Sequence, residues 1–419
     1  MREPDLVVFG IGHLIDPGET TSTPLTVTPD AFIWIREGRV AARGSMADLP
    51  GEAAGAPRLD ARGWVALPGL VDSHTHAVFG ATRAHEFEKR LAGATYQEIA
   101  AGGGGIAFSV RDLRGRSEDE LARLARPRLA AFARGGVTTV EVKSGYGLDT
   151  ESEIRSLRVV RRLAADPLLP RLVPTFLGAH AVPAEFADDR AGYVRLVCDE
   201  MLPAVVAQGL ARFCDVFCDE GAFTLAESET ILTRARDLGM GLKIHAEEFV
   251  PLGGAVLAAR LDAVSADHLV AVDAAGIAAL ADSRTVATLL PGTSFFLRLG
   301  RHAPARGLAE AGVEIALATD FNPGSSMTQN LLLMAQFGCC TLGLTVDEAL
   351  RAVTRGGARA LGEPDRGSLA VGAMGDVALF DVPDHRHLIY HYGMDHCSAT
   401  IRGGRVISSA GKIEVPAES

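Results

Sequence analysis

At 419 residues and 47% hydrophobic, the chain carries enough apolar material for a large buried core and for more than one domain. A formal charge of −11, a sequence pI near 5.6 and the lack of any basic run exclude a nucleic acid or an anionic membrane surface as the main partner. No apolar run is long enough to span a bilayer, and MREPDLVVFG lacks the basic start, apolar core and cleavage site of a secretory signal, so a cytoplasmic location is expected. Six cysteines in so long a chain do not form a dense disulfide framework, and Cys214 and Cys218, unanswered by a second pair, are not expected to bind metal.

In chain order, residues 5–15 and 31–43 read as strands, with Glu37-Gly38 a hairpin turn inside the second stretch. Residues 44–60 are rich in Ala, Gly and Pro and show no period. From there to about residue 365, short apolar runs alternate with long Ala/Leu/Arg/Glu stretches, the pattern of repeated βα units around a parallel sheet. Eight strands are predicted: Val65–His76, Gly136–Ser144, Leu172–His180, Phe213–Glu220, Leu242–Glu247, Ala263–His268, Val286–Leu290 and Glu314–Asp320. Eight such strands close a barrel. Between them, Ser117 with Glu120, Thr150 with Glu153, Thr224 with Glu227 and Thr345 with Glu348 fit the capping box that opens a helix. Residues 367–382 and 398–413 return to short strands with Gly-Gly turns, and each chain end is too short to bury a core alone. The expected architecture is α/β: a (β/α)8 TIM-like barrel over 67–365, and a smaller β-sandwich built from 1–66 and 366–419.

In a parallel barrel the site collects at the carboxyl ends of the strands. His74 and His76 end the first predicted strand, Lys143 the second, His180 the third, and Asp219 with Glu220 the fourth. His245, Glu247 and Glu248 end the fifth, His268 the sixth and Asp320 the eighth. Any one of these is as readily a capping carboxylate or a satisfied core histidine; together they converge on one mouth. Side chains alternate along a strand, so His74 and His76 share a face, with Asp72 on it too, and such a set suits a borderline divalent metal. Gly102 to Gly105 lack the Gly-Lys-Ser/Thr ending of a phosphate loop and do not follow a strand, so a pliant lid over the mouth is expected there instead.

These residues sit in PGLVDSHTHAVFGATR, AGGGGI, EVKSGYGLDTESE, FLGAHAVP, DVFCDEGAFT, KIHAEEF, ADHL and LATDFNPGSS. Through them nearly the whole chain resembles the metal-dependent amidohydrolase superfamily and, within it, the imidazolonepropionase family. The resemblance implies a mononuclear zinc or iron site held by His74, His76, His245 and Asp320, a two-part sandwich flanking the barrel, and a homodimer. It also implies that Arg83, Tyr146, His180, Glu248 and Ser325 contact imidazolonepropionate, and Asn322 and Gly324 the ring-opened product. Two positions depart from the pattern: the run after His245 reads Ala-Glu-Glu-Phe where aspartate is commoner in the middle, and Ser325 stands where threonine is also common. Both keep the functional group.

The residue types agree with the implied chemistry. A metal with three imidazoles and a carboxylate leaves room for a water whose pKa it lowers to about 7. Charge developing on a cyclic amide oxygen calls for the metal and an imidazole, for which His180 and His268 are candidates. Glu248 matches the family's catalytic glutamate and can carry a proton to the departing nitrogen, while Asp320 can accept one from the attacking water. Arg83 is shaped for a bidentate grip on a carboxylate, which a neutral base would not require. Lys143 could instead be carbamylated to bridge two metals, as in other amidohydrolases, but EVKSGYGLD matches the mononuclear pattern. The expected activity is hydrolysis of the cyclic amide C–N bond of 4-imidazolone-5-propanoate to N-formimidoyl-L-glutamate in histidine degradation. The alternatives are a purine or pyrimidine deaminase on the same scaffold and a non-catalytic scaffold protein.

Overall fold

The computed structural model describes residues 4–18, 23–94, 98–99 and 102–411, whose strands fall into two eight-stranded sheets. The chain enters through β1 (Leu6–Asp16), β2 (Thr26–Arg36), β3 (Arg39–Ser45), β4 (Arg58–Asp60) and β5 (Val65–Pro68). Glu37 and Gly38 make the turn between β2 and β3 with φ of 52° and 77°, the pair of positive values a two-residue I′ hairpin requires. The barrel follows as β6 (Leu70–Asp72), β7 (Val137–Lys143), β8 (Arg171–Ala179), β9 (Phe213–Cys218), β10 (Gly241–Ala246), β11 (Ser265–His268), β12 (Val286–Leu289) and β13 (Ile315–Leu317). The chain then returns to the first sheet with β14 (Val377–Phe380), β15 (Cys397–Arg402) and β16 (Arg405–Ser409).

Alternation along two strands joins the sheets. In β14, Val377 and Leu379 belong to the core of the terminal sheet, whereas Ala378 and Phe380 point into the main core with the barrel. In β5, Ala66 faces the first core and Val65 and Leu67 the second. A period of two thus gives one strand to two interiors. The expected first barrel strand, Val65–His76, is therefore corrected to two strands in different sheets. The break falls at Gly69, where a Cβ would lie 2.2 Å from Thr138 Oγ1, so only glycine lets the chain pass that close.

The eight barrel strands are parallel and ordered by sequence, β6 to β13. The first and last meet just beyond their ends: Asp320 N–H donates to His74 O at 3.0 Å, His76 N–H to Phe321 O at 2.9 Å, and Thr319 Oγ1–H to Asp72 Oδ2 at 2.7 Å. The seam that closes the barrel is lined by three of the four expected metal ligands, His74, His76 and Asp320.

Of the four expected capping boxes, Ser117–Glu120, Thr224–Glu227 and Thr345–Glu348 form as such. The fourth is corrected. Asp149, not Thr150, caps the helix Thr150–Leu163 by accepting from Ser152 N–H at 2.7 Å. Glu153 turns inward and accepts from the N–H groups of Gly145, Gly147 and Leu148 at 2.7–3.0 Å. No helix of the described residues is long and apolar enough to cross a membrane.

Candidate active site

Three donors meet at the seam and a fourth, His245, reaches them from the end of β10. His74 Nε2 and His76 Nε2 lie 3.3 Å apart, and Asp320 Oδ1 lies 3.5 Å from the first and 3.4 Å from the second. A tetrahedral ion with bonds of about 2.0–2.1 Å spaces its ligands about 3.3–3.4 Å apart. Donor atoms of His74, His76 and His245 all fall within 4.8 Å of one another. His245 Nε2 is buried and makes no hydrogen bond, a costly state for a polar atom that an ion would relieve. Burial holds the imidazoles of His74 and His76 well below their ordinary pKa, with Lys143 and His245 adding to it, so both are neutral as ligation requires. These residues fit a metal.

Beneath the donors lies a charged lattice. His74 Nδ1–H donates to Asp267 Oδ2 at 2.6 Å, which leaves the Nε2 lone pair facing the cluster; His245 Nδ1 lies 3.0 Å from Asp215 Oδ2. Lys143 Nζ sits among Asp215 Oδ2 at 2.6 Å, Glu141 Oε2 at 2.9 Å and Asp267 Oδ2 at 3.5 Å. Lys243 Nζ adds Ser73 O at 2.9 Å and Glu141 Oε2 at 3.2 Å. Against the cost of burial, Asp215, Glu141 and Asp267 hold Lys143 above its ordinary pKa, and His245 and Lys143 hold Asp215 well below its own.

Above the donors a cleft is lined by Arg83, Tyr146, His180, Glu248, His268, Asn322, Gly324 and Ser325 as well as by His76, His245 and Asp320. The expected metal-binding, proton-transfer and substrate-contacting residues are thus brought to one place, with His74 enclosed just below. Glu247 adopts φ of 58° and turns away to accept from Gly253 N–H at 3.0 Å, which aims Glu248 at the cleft. Burial, with Asp320 and Asp219 nearby, pushes the Glu248 carboxyl well above its ordinary range. Its Oε2 is 3.7 Å from His268 Nδ1, and burial lowers the His268 imidazole to about 3. His180 Nδ1–H donates to Gly145 O at 2.9 Å, leaving Nε2 as the acceptor. Arg83 packs its guanidinium over Gly324, where a Cβ would lie 2.4 Å from Nη2.

Several expectations are corrected. Asp72 is no part of the donor set: its oxygens accept from Thr319 N–H, Thr319 Oγ1–H and His74 N–H, and burial raises its pKa to about 7. Asp219 orders the neighbouring loop through Phe249 N–H at 2.8 Å and Val250 N–H at 3.2 Å, and Glu220 is exposed. Gly324 N–H is already engaged, donating to Asn322 Oδ1 at 2.8 Å, and Asn322 Nδ2–H donates to Asp320 O and Ser325 Oγ, each at 2.7 Å. The sequence reading missed Glu141, Asp215, Lys243 and Asp267. A signal existed: Glu141 and Lys143, Lys243 and His245, and Ser265 and Asp267 are each two apart on a barrel strand, the spacing of inward positions.

The amidohydrolase family model matches residues 95–408. The imidazolonepropionase of Myxococcus xanthus is 47% identical over 391 residues, covering 93% of this chain and 92% of that protein. That of Symbiobacterium thermophilum is 45% identical and covers 99% of each. Among solved structures, a triazine hydrolase variant superposes with a TM-score of 0.76 at 21% identity, covering 96% of this chain and 94% of its own. The zinc complex of atrazine chlorohydrolase from Arthrobacter aurescens TC1 superposes at 0.70 and 21% identity, with the same coverage. At that identity the two structures speak for the fold alone.

Proposed function

The chain belongs to the imidazolonepropionase family of the amidohydrolases, and from that premise we propose how its residues divide the work. The enzyme hydrolyses the cyclic amide C–N bond of 4-imidazolone-5-propanoate to give N-formimidoyl-L-glutamate. His74, His76, His245 and Asp320 would hold one divalent ion, zinc or iron, which as a Lewis acid lowers the pKa of a water to about 7 and polarises the ring carbonyl. Lys143 stays an ammonium shared by three carboxylates; carbamylation would put a fourth negative charge among them, which favours a single ion.

Asp320 takes the proton of the attacking water at its carboxylate, steadied by Thr293 Oγ1–H on Oδ2 at 2.6 Å. Neutral His268 donates a hydrogen bond to the oxygen on which charge develops. Glu248, kept protonated by burial, delivers its proton to the ring nitrogen as the C–N bond breaks. Arg83 grips the propionate, Tyr146, His180 and Ser325 orient the ring, and Asn322 and Gly324 meet the opened product. The substrate is a small anion, and we place the enzyme in the cytoplasm as a homodimer.

The observation that supports the reading is the meeting, around one cleft, of the buried Arg83 with imidazole and carboxylate donors 3.3–3.4 Å apart. The test is mass spectrometry of freshly made imidazolonepropionate incubated with metal-loaded protein, with an ammonia assay beside it. Gain of one water without ammonia is expected. Ammonia released from an aminated base, with imidazolonepropionate untouched, would put the chain among the deaminases.

A further inference from the structure

Glu86 is a buried carboxylate that the mechanism above leaves unused. It stands in the first turn of the helix Ala84–Leu91, three residues after Arg83, so the two could be ordinary helix neighbours. Their burial says otherwise: each side chain is 5% exposed. One oxygen, Oε2, accepts from Arg83 Nε–H at 2.9 Å, and the other, Oε1, accepts from the backbone N–H of Gly105 at 3.0 Å. The exposed ring of His85 approaches Oε1 only to 3.9 Å. Gly105 caps the helix Ile106–Arg114, and Ile106 lines the cleft with Arg83.

A guanidinium can grip a carboxylate by either of two edges: Nε with one terminal nitrogen, or the two terminal nitrogens together. Glu86 holds Nε, and the terminal nitrogens lie over Gly324 at the cleft wall. We propose that Glu86 is a positioning residue for substrate recognition: it commits Arg83 to an end-on grip of the propionate and, through Gly105, locks that grip to the cleft wall carrying Ile106. The proposal rests on the reading of Arg83 as the propionate ligand. Its physical basis is preorganisation, since an arginine already held in its binding rotamer loses less freedom when the ligand arrives. Glu86 also carries a negative charge near an anionic ligand, so the two effects oppose each other and experiment can separate them.

The test compares wild type, Glu86→Gln, Glu86→Ala and Arg83→Gln on imidazolonepropionate and on its uncharged propionamide analogue. Glu86→Gln keeps the shape but offers one acceptor where two N–H groups point. For both Glu86 variants KM for imidazolonepropionate should rise about tenfold while kcat stays within about threefold, the scale of one ordered side chain. KM for the propionamide should not move, because that ligand has no carboxylate to grip. An unchanged or lowered KM for imidazolonepropionate, or a fall in kcat that is the same for both ligands, would overturn the proposal. An Arg83→Gln variant with unchanged KM would sink the reading of Arg83 itself. Arg83→Gln impaired and both Glu86 variants normal would sink only the role of Glu86.

Discussion

Asp267 immediately precedes His268 and Asp72 stands two residues before His74, yet of the two only Asp267 meets the ring of a proposed metal ligand, and that ring belongs to His74, 193 residues away. With Lys143 pinned between Asp267 and Asp215, the orientation of two proposed ligands, His74 and His245, depends on one buried ammonium. Asp267→Asn and Lys143→Met should each weaken metal binding by about 10–100-fold, measured by chelator competition, because the histidines lose the groups that fix their tautomer and ring angle. Wild-type affinity in both variants would mean the lattice only fills the barrel. Arg83→Lys keeps the charge but loses the planar fork, so KM should rise by about tenfold or more with kcat little changed.

Among the elements, the helix caps show how far local chemistry reaches. Thr345 and Glu348 satisfy each other as their spacing predicts, and Arg306 adds a two-pronged ion pair to Glu348 at 2.9 and 3.0 Å. Arg306 holds the Glu348 carboxyl down at about 2, against an ordinary value near 4.5. A carboxyl with a lowered folded-state pKa contributes stability above its unfolded value and loses it as pH falls through the folded one. Thermal midpoints of wild type and Glu348→Gln should therefore differ at pH 7 and draw together between about pH 4.5 and pH 2. A gap that stays constant across that range would deny the ion pair its role. Thr150 and Glu153 have the same spacing but not the same fate, because the loop carrying Tyr146 offers Glu153 three buried N–H groups. Those outweigh one exposed cap.

At the scale of the whole molecule, the terminal sheet is bound to the barrel by residues that face away from its own core. Phe380 is fully buried on the barrel side of β14, while its neighbour Leu379 is buried on the other side. Phe380→Ala should cost about 3–5 kcal/mol in denaturant unfolding, the range for an aromatic removed from a close-packed interior. A loss below about 1 kcal/mol would mean that the contact between sheet and barrel is loose.

The alternation of strands and helices, the hairpin at Glu37-Gly38, three of the four capping boxes and the gathering of His74, His76, His180, His245, Glu248, His268 and Asp320 at one end of the barrel were all determined by the sequence alone. They follow from periods of two and 3.6 and from signals within four residues of one another, which a chain carries whatever its distant parts do. The tertiary structure decided who partners whom: that Asp72 clasps the barrel seam, that Asp267 serves His74, that Gly69 hands the chain from one sheet to the other, and that Glu86 joins Arg83 to Gly105. A buried polar atom takes the partner that closure of the fold places within about 3 Å, and that distance is set by every strand in between rather than by any neighbour in sequence.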